Sequence, residues 1–514
     1  MTWRWVIGST VRSASCMVRA CIPTNVCLSS ALVLHKEAIV FRDGSWQAQY
    51  AQEAKSKGKG DDDMHHRVVW IGLGVAWLVA LYGTPTRSAL AEQAEEVAPG
   101  LRVGDYLDQS NAHLAKDLLP PEILKHYEKG EYRNRIVAYP VGTAKWERSF
   151  LEATEKNATT LDVDERGTII EKATGKQPDF YYGIPFPNID PKDPKAGVKI
   201  VWNQFLAYWY GGSSYNRTLV AMLSRRGLDR GIVADGWFQF YDGVPPKYRQ
   251  PNPNRLQSQF LGVTKSPADL QGTSSLTWRF RDPQKRDSVW AYVPALRRVR
   301  AVSPANRSDG YLGSDISGDD GFFFDGKPED FEFKLVGKRD ALRIVDPNAV
   351  SGPIPITPVP GGGWNIVTDL NPPTAGFWLP GWKGVPWAPT DSALAKRPMW
   401  IVEAVPRDKY YLYGRIELWI DAETWDGAWN RKFSWNGELV HNYQMQARVN
   451  HMAGDPKDPE WLPASTIIWA CAENIKLERA TLGGLRSDPQ APTYRRVPLD
   501  PSLFDPMTLT RYGK

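Results

Sequence analysis

Beyond residue 91 the chain has four histidines, His113, His126, His441 and His451, and one cysteine, Cys471. No two of these histidines stand at the i, i+4 spacing by which a helix presents a zinc pair, and His441 and His451 are ten residues apart. Gly211-Gly212-Ser213-Ser214 lacks the second glycine of a nucleophile elbow, and no phosphate-binding glycine loop occurs. Glu417 and Asp421 could serve acid/base work, but nothing in their spacing brings them into a common cleft, so a glycosidase pair is unsupported. Six aspartates, Asp309, Asp315, Asp319, Asp320, Asp325 and Asp330, offer oxygens to a hard cation such as calcium. Their spacing does not match a calcium loop, and Asp and Gly favour turns for backbone reasons alone. The expectation is a chain without catalytic residues, cofactor or metal.

The chemistry that the residue types favour is apolar contact. Of 22 tryptophans, 17 lie after residue 91. Trp202, Phe205 and Trp209 fall on a predicted helix, and Trp237, Trp290, Tyr292, Trp419 and Trp435 on predicted strands. Trp419 alternates with Ile416, Leu418 and Ile420, and Trp290 and Tyr292 with Val289, Ala291 and Val293, so bulky apolar groups face both ways. Such a sheet needs a covering layer on each face or an apolar ligand on one. These eight aromatics are therefore the candidates for lining a hydrophobic cavity. Arg297, Arg298 and Arg300, with Arg307 nearby, follow an apolar strand and could meet an anionic head group at its mouth; the plainer reading is a solvated strand end.

The elements that must position these residues are mostly strands. Leu276–Arg281, Phe331–Leu335 and Arg415–Ile420 alternate with period two, and Asn436-Gly437 between apolar runs is a strong hairpin signal. Short turns without a βαβ rhythm predict an antiparallel sheet. Residues 101–130 read as helical, with Pro120-Pro121 opening a helix and Gly130 closing it. Residues 198–210 read as a second helix. The stretches 303–327 and 351–390, rich in Gly, Asp, Pro and Trp, are long enough to be functional loops. The fold class expected is mainly β (α+β): a large antiparallel incomplete barrel or curved sheet with a few covering helices, its N-terminal part (92–212) the more helical.

The first 91 residues read as lying outside the working protein. His65-His66-Arg67, the uncharged run Val68–Tyr82 and the small-x-small triplet ending at Ala91 form a signal peptide over 64–91, with cleavage after Ala91 and residues 1–63 a disordered upstream extension. Fifteen apolar residues are short for a membrane span. The body, 92–514, then carries 53 Lys+Arg against 52 Asp+Glu, or +1, which gives no electrostatic footprint for nucleic acid. A single periplasmic domain with one cysteine and no internal disulfide is expected.

The runs Trp290–Arg300, Ser303–Gly310, Asp319–Phe331, Gly183–Pro187 and Tyr413–Asp421 resemble the signature of a periplasmic domain-of-unknown-function family, family 1329, over roughly Gly100 to Val449. The resemblance implies a fold like that of the lipoprotein-localisation proteins LolA and LolB, a half-barrel whose concave side is plugged by helices and accepts acyl chains. It also implies partners: a lipid, sterol or other hydrophobic small molecule, an outer-membrane channel and a permease of the resistance-nodulation-division type. The function expected is thus a periplasmic carrier or acceptor of hydrophobic molecules that keeps a dry hollow beside its sheet. Two other classes remain: a glycan-binding protein using Trp364, Trp378, Trp382 and Trp387, or an unrecognised hydrolase with carboxylates converging in a cleft.

Overall fold

A computed structural model describes residues 40–42, 45–47, 95–139, 146–303, 307–346, 356–366, 375–448, 466–485 and 492–513. The chain divides into two units, Met1–Leu90 and Ala91–Lys514. In the first, Val40–Arg42 pairs with Ser45–Gln47; the expected signal peptide and its cleavage site lie outside the described residues.

The second unit is built on one large sheet. Its first two strands are short, β1 (Tyr106–Leu107) and β2 (Asn134–Ile136). A meander follows: β3 (Ser214–Ser224), β4 (Gly227–Phe240), β5 (Leu256–Ser266), β6 (Ser274–Phe280), β7 (Ser288–Val293) and β8 (Arg298–Val302). Then come the long β9 (Phe331–Val345) and the short β10 (Ile356–Pro358) and β11 (Trp364–Ile366). A second meander runs through β12 (Ala393–Pro406), β13 (Arg415–Asp421), β14 (Gly427–Phe433), β15 (Leu439–Arg448), β16 (Thr466–Asn474) and β17 (Arg479–Leu485), and β18 (Thr493–Arg495) ends the series. Within each meander sequence neighbours pair antiparallel, and β9 lies along β12 from Phe331↔Pro406 to Val345↔Ala393.

The two meanders join through β3, which pairs with β17 near its end (Leu482↔Ala221) and with β18 at its start (Tyr494↔Tyr215). The ladders run from β8 to β9, and no ladder joins those end strands among the described residues. The second unit is thus mainly β, one large open sheet with covering helices and two small two-stranded sheets, as the alternation predicts. One pairing departs from the antiparallel expectation: β2 lies parallel to β12 at Leu394↔Ile136, because β2 arrives with the N-terminal segment rather than from a hairpin.

Three α-helices accompany the sheet among the described residues: α1 (Pro121–Glu128), α2 (Arg148–Thr160) and α3 (Ala196–Trp209). The predicted helix over 101–130 shrinks to α1 and one short turn, Ala112–Ala115. Pro121 opens α1 and Gly130, at φ +69°, follows its end as predicted, but Gly100 and Gly104 sit at φ +79° and +102° and hold 101–107 in turns and short strands. None of the described helices is long and apolar enough to cross a membrane.

Period-two alternation divides the core. On one face, Val402, Ile416, Leu418, Ile420, Tyr443 and Met445 pack against α3, of which every residue but Lys199 is buried. Gly197 lets that helix touch β9: a Cβ there would lie 3.0 Å from Lys334 backbone atoms. On the other face, Met399, Trp419, Trp429, Trp469, Cys471 and Leu482 meet Leu107, Leu119, Ile123, Tyr127 and Trp387 of the N-terminal segment and the 375–388 loop. Both faces are therefore covered by the protein's own chain. Where the sequence reading places a dry hollow, the structure seats α3 and the Phe322–Phe324 turn. Tyr208 stacks on Phe322 at 4.0 Å, and Asn430 Nδ2 donates to the Phe323 carbonyl at 2.8 Å. Phe322 and Phe323 hold φ of +58° and +86°, a strained conformation kept only because these contacts over-determine it.

Candidate functional site

Two openings in the described surface differ in character. The first is an apolar groove of about 370 Å³ between β3, β4 and the segments 359–362 and 494–499. Tyr215 of β3 and Trp237 of β4 are cross-strand partners with ring centroids 5.1 Å apart, and Tyr494 of β18 lies 5.8 Å beyond Tyr215. Val359, Pro360, Val497, Pro498 and Leu499 complete the walls. The turn that brings Pro360 over the rings is possible because Gly361, Gly362 and Gly363 take φ of +90°, +114° and +85°. At Gly363 a Cβ would lie 2.6 Å from the Arg496 carbonyl oxygen. At the groove's edge Tyr215 Oη donates to Asp235 (3.1 Å), which also holds Arg217 through Nε (2.6 Å) and Nη2 (3.0 Å). Burial, then the Asp235 charge, push the Tyr215 phenol above its ordinary range.

Trp237 also belongs to an aromatic layer with Trp278, Trp290, Tyr292, Leu261 and Leu276 that the C-terminal turns cover with Phe504 and Leu509. Trp278 Nε1 donates to the Phe504 carbonyl at 2.9 Å, which ties that cover down.

The second opening is a charged cleft of about 640 Å³. Its floor is a buried ion network. Arg307 reaches Asp287 (2.6 Å), Asp319 (2.5 Å) and Asp325 (3.1 Å), while Arg279 pairs with Asp287 and Asp325, and Tyr411 Oη donates to Asp319 at 2.8 Å. Beside it the Lys327 ammonium donates to the carbonyls of Asp282 and Lys285. Burial raises the Glu329 carboxyl to about 7 and lowers Lys327 below the ordinary lysine range. Arg166, Arg286 and Arg407 stand exposed on the rim.

The predicted cavity residues fall in separate places. Trp202, Phe205 and Trp209 pack together on α3, with Trp202 Nε1 donating to the Gly167 carbonyl at 2.6 Å. Trp419 lies on the opposite face against Trp429, its Nε1 donating to Glu417 at 2.7 Å. Trp435 lies in the turn between β14 and β15 rather than on a strand, is half-exposed and donates to the Tyr411 carbonyl. Trp237, Trp290 and Tyr292 are brought together in the aromatic layer, and Trp237 alone reaches the groove. Arg297, Arg298 and Arg300 are exposed on the β7–β8 hairpin and line neither opening. Of the glycan candidates, Trp387 is buried and Trp382 packs against the same core. Asp315, Asp319, Asp320 and Asp325 find arginine and lysine partners in the chain, and among the described residues no three His, Cys, Asp or Glu side chains gather as a metal-ligand set. Sequence reasoning missed the charged cleft; its one signal was the number of arginines available to match the aspartates of 303–330.

Residues 106–353 match the family described as "Protein of unknown function (DUF1329)". No curated protein matches the sequence. Three solved structures are similar: a domain from Vibrio parahaemolyticus described as outer membrane lipoprotein-sorting (14% identity, 62% of this chain and 100% of that one, TM-score 0.41), a DUF1329 protein from Desulfovibrio piger (15%, 62% and 100%, 0.40) and a LolA superfamily protein from Nitrosomonas europaea (10%, 60% and 96%, 0.34).

Proposed function

Residues 106–353 belong to the DUF1329 family, and from that premise we propose that this protein is a periplasmic carrier or acceptor of hydrophobic molecules. The observation that carries the reading is the groove over Tyr215, Trp237 and Tyr494. It is apolar, open to solvent and continuous through Trp237 with a covered aromatic layer. Its volume falls in the range of small-molecule sites. Each buried CH₂ contributes about 0.8 kcal/mol, so a chain of about ten methylenes offsets the cost of association without a specific polar contact. Tyr215, Arg217 and Asp235 give the groove one polar edge, which suits a cargo with a single polar end. Passage between membrane partners, an outer-membrane channel and a permease of the resistance-nodulation-division type, belongs to the same reading and rests on the family resemblance.

The test is extraction of freshly purified protein with organic solvent and mass spectrometry of the extract, with titration of a fluorescent fatty acid alongside. Lipid in the extract and probe binding that Trp237→Ala weakens about tenfold, the loss of one aromatic contact and its buried area, would support the groove. Empty extracts and no probe binding would refute the carrier reading.

A further inference from the structure

We propose that the charged cleft is a binding site for an anionic group, a phosphate or a carboxylate, held between the Arg166 and Arg286 guanidiniums at its rim. The inference does not depend on the apolar groove, since the two openings share no lining residue.

The charges of the cleft sort into two kinds. Those of the floor are consumed internally: Arg307 spends its donors on Asp287, Asp319 and Asp325, and Arg279 spends its own on Asp287 and Asp325. Of the rim cations, Arg407 donates to Glu332 at 2.7 Å. Arg166 and Arg286 are exposed and have no side-chain partner among the described residues, although both line the cleft. Two guanidiniums on one opening present forked donors to the planar or tetrahedral oxygens of an anion. Of the cleft's carboxylates outside the floor network, Glu329 is buried, Asp330 is exposed, and Asp408 Oδ1 already accepts from the Tyr410 N–H.

The structure beneath the rim anchors the backbone that carries both arginines. Arg286 directly precedes Asp287, which two buried arginines grip. Arg166 sits in a tight turn whose Asp164 Oδ1 accepts from the N–H groups of Arg166 and Thr168, and Trp202 Nε1 binds the neighbouring Gly167 carbonyl. Both arginines thus stand on fixed backbone, which lowers the ordering cost of gripping a ligand.

The anion could be free or the head group of a lipid, and the experiment separates these. Wild type, Arg166→Ala/Arg286→Ala and Arg166→Lys/Arg286→Lys are titrated with inorganic phosphate by calorimetry. Each is also tested for binding to phosphatidylglycerol vesicles against phosphatidylcholine vesicles. Phosphate binding by wild type that weakens about a hundredfold in the double alanine variant, about tenfold for the charged hydrogen bond of each guanidinium, and is kept in part by the lysine variant supports the site. Selective binding to phosphatidylglycerol, lost in the alanine variant and absent with free phosphate, also supports it and assigns the anion to a lipid. The proposal is overturned if wild type binds neither probe, or if the alanine variant binds as wild type does. It is equally overturned if Arg298→Ala/Arg300→Ala, on the β7–β8 hairpin that does not line the cleft, abolishes binding instead.

Discussion

The contact that ties the N-terminal covering segment to the sheet should make stability depend on pH in a defined window. His126, at the end of α1, is buried between two carboxylates: Nδ1 lies 2.8 Å from Glu131 and Nε2 2.9 Å from Glu473 of β16. Burial lowers its pKa, but the hydrogen bonds to Glu131 and Glu473 and their charges outweigh that and hold it at about 9. A neutral imidazole can donate from one nitrogen only and would leave one carboxylate facing a lone pair. An unfolded histidine titrates near 6.5, so the folded state binds the extra proton between those values. The stabilisation is fully present below pH 6.5, declines as pH rises and is gone above about 9. A pKa held at about 9 corresponds to about 3 kcal/mol at pH 6. The matching fall of Glu131 to about 2 is caused first by its hydrogen bond to His126, which is the same interaction seen from the other side, and Arg225 lowers it further. Urea unfolding of wild type and His126→Gln at pH 6, 8 and 9.5 checks this. The gap between the two should be about 3 kcal/mol at pH 6 and close to nothing at pH 9.5. A gap unchanged across that range would refute the argument, because it would mean the ring is held by packing against Tyr132 rather than by charge.

Two further outcomes follow from the core. Burial raises Glu329 to about 7, so wild type should lose stability as pH rises from 4.5 to 7, by up to about 3 kcal/mol; Glu329→Gln should flatten that slope and be the more stable protein at pH 8, as thermal unfolding across pH would show. A Cβ at Gly427 would lie 1.9 Å from the Phe323 ring, so Gly427→Ala should cost about 1–3 kcal/mol by overpacking, and a double-mutant cycle with Phe323→Ala should show strong non-additivity.

What was legible in the residues follows from how local each signal is. The helix at 198–210 emerges as Ala196–Trp209, and Asn436-Gly437 turns β14 into β15 with Gly437 at φ +81°. The opposition of Trp419 to Ile416, Leu418 and Ile420 holds, because strand alternation needs no knowledge of partners. What covers each face was not legible, since hydrophobic patterning says that a surface is buried without saying by what. So α3 fills the space assigned to a ligand, and seven of the eight aromatics scatter over two faces and an outlying layer, while Trp435 stays half-exposed. The charged cleft escaped for the same reason. Its walls come from residues 166, 286–287, 307–331 and 406–411, and reading the aspartates as turn formers accounts for their backbones but not for the arginines that their side chains meet.

The seam between the meanders bears on how the molecule is assembled. β3 opens the first meander, yet its second edge is taken by β17, which ends the second meander, and by β18, which follows it. Until those strands arrive that edge stays open, a template for pairing with any other extended chain. That edge is filled only when β17 and β18 arrive, so the polypeptide cannot complete its sheet piecemeal. A truncated product lacking the final strands should therefore be prone to aggregate rather than persist as a smaller folded domain.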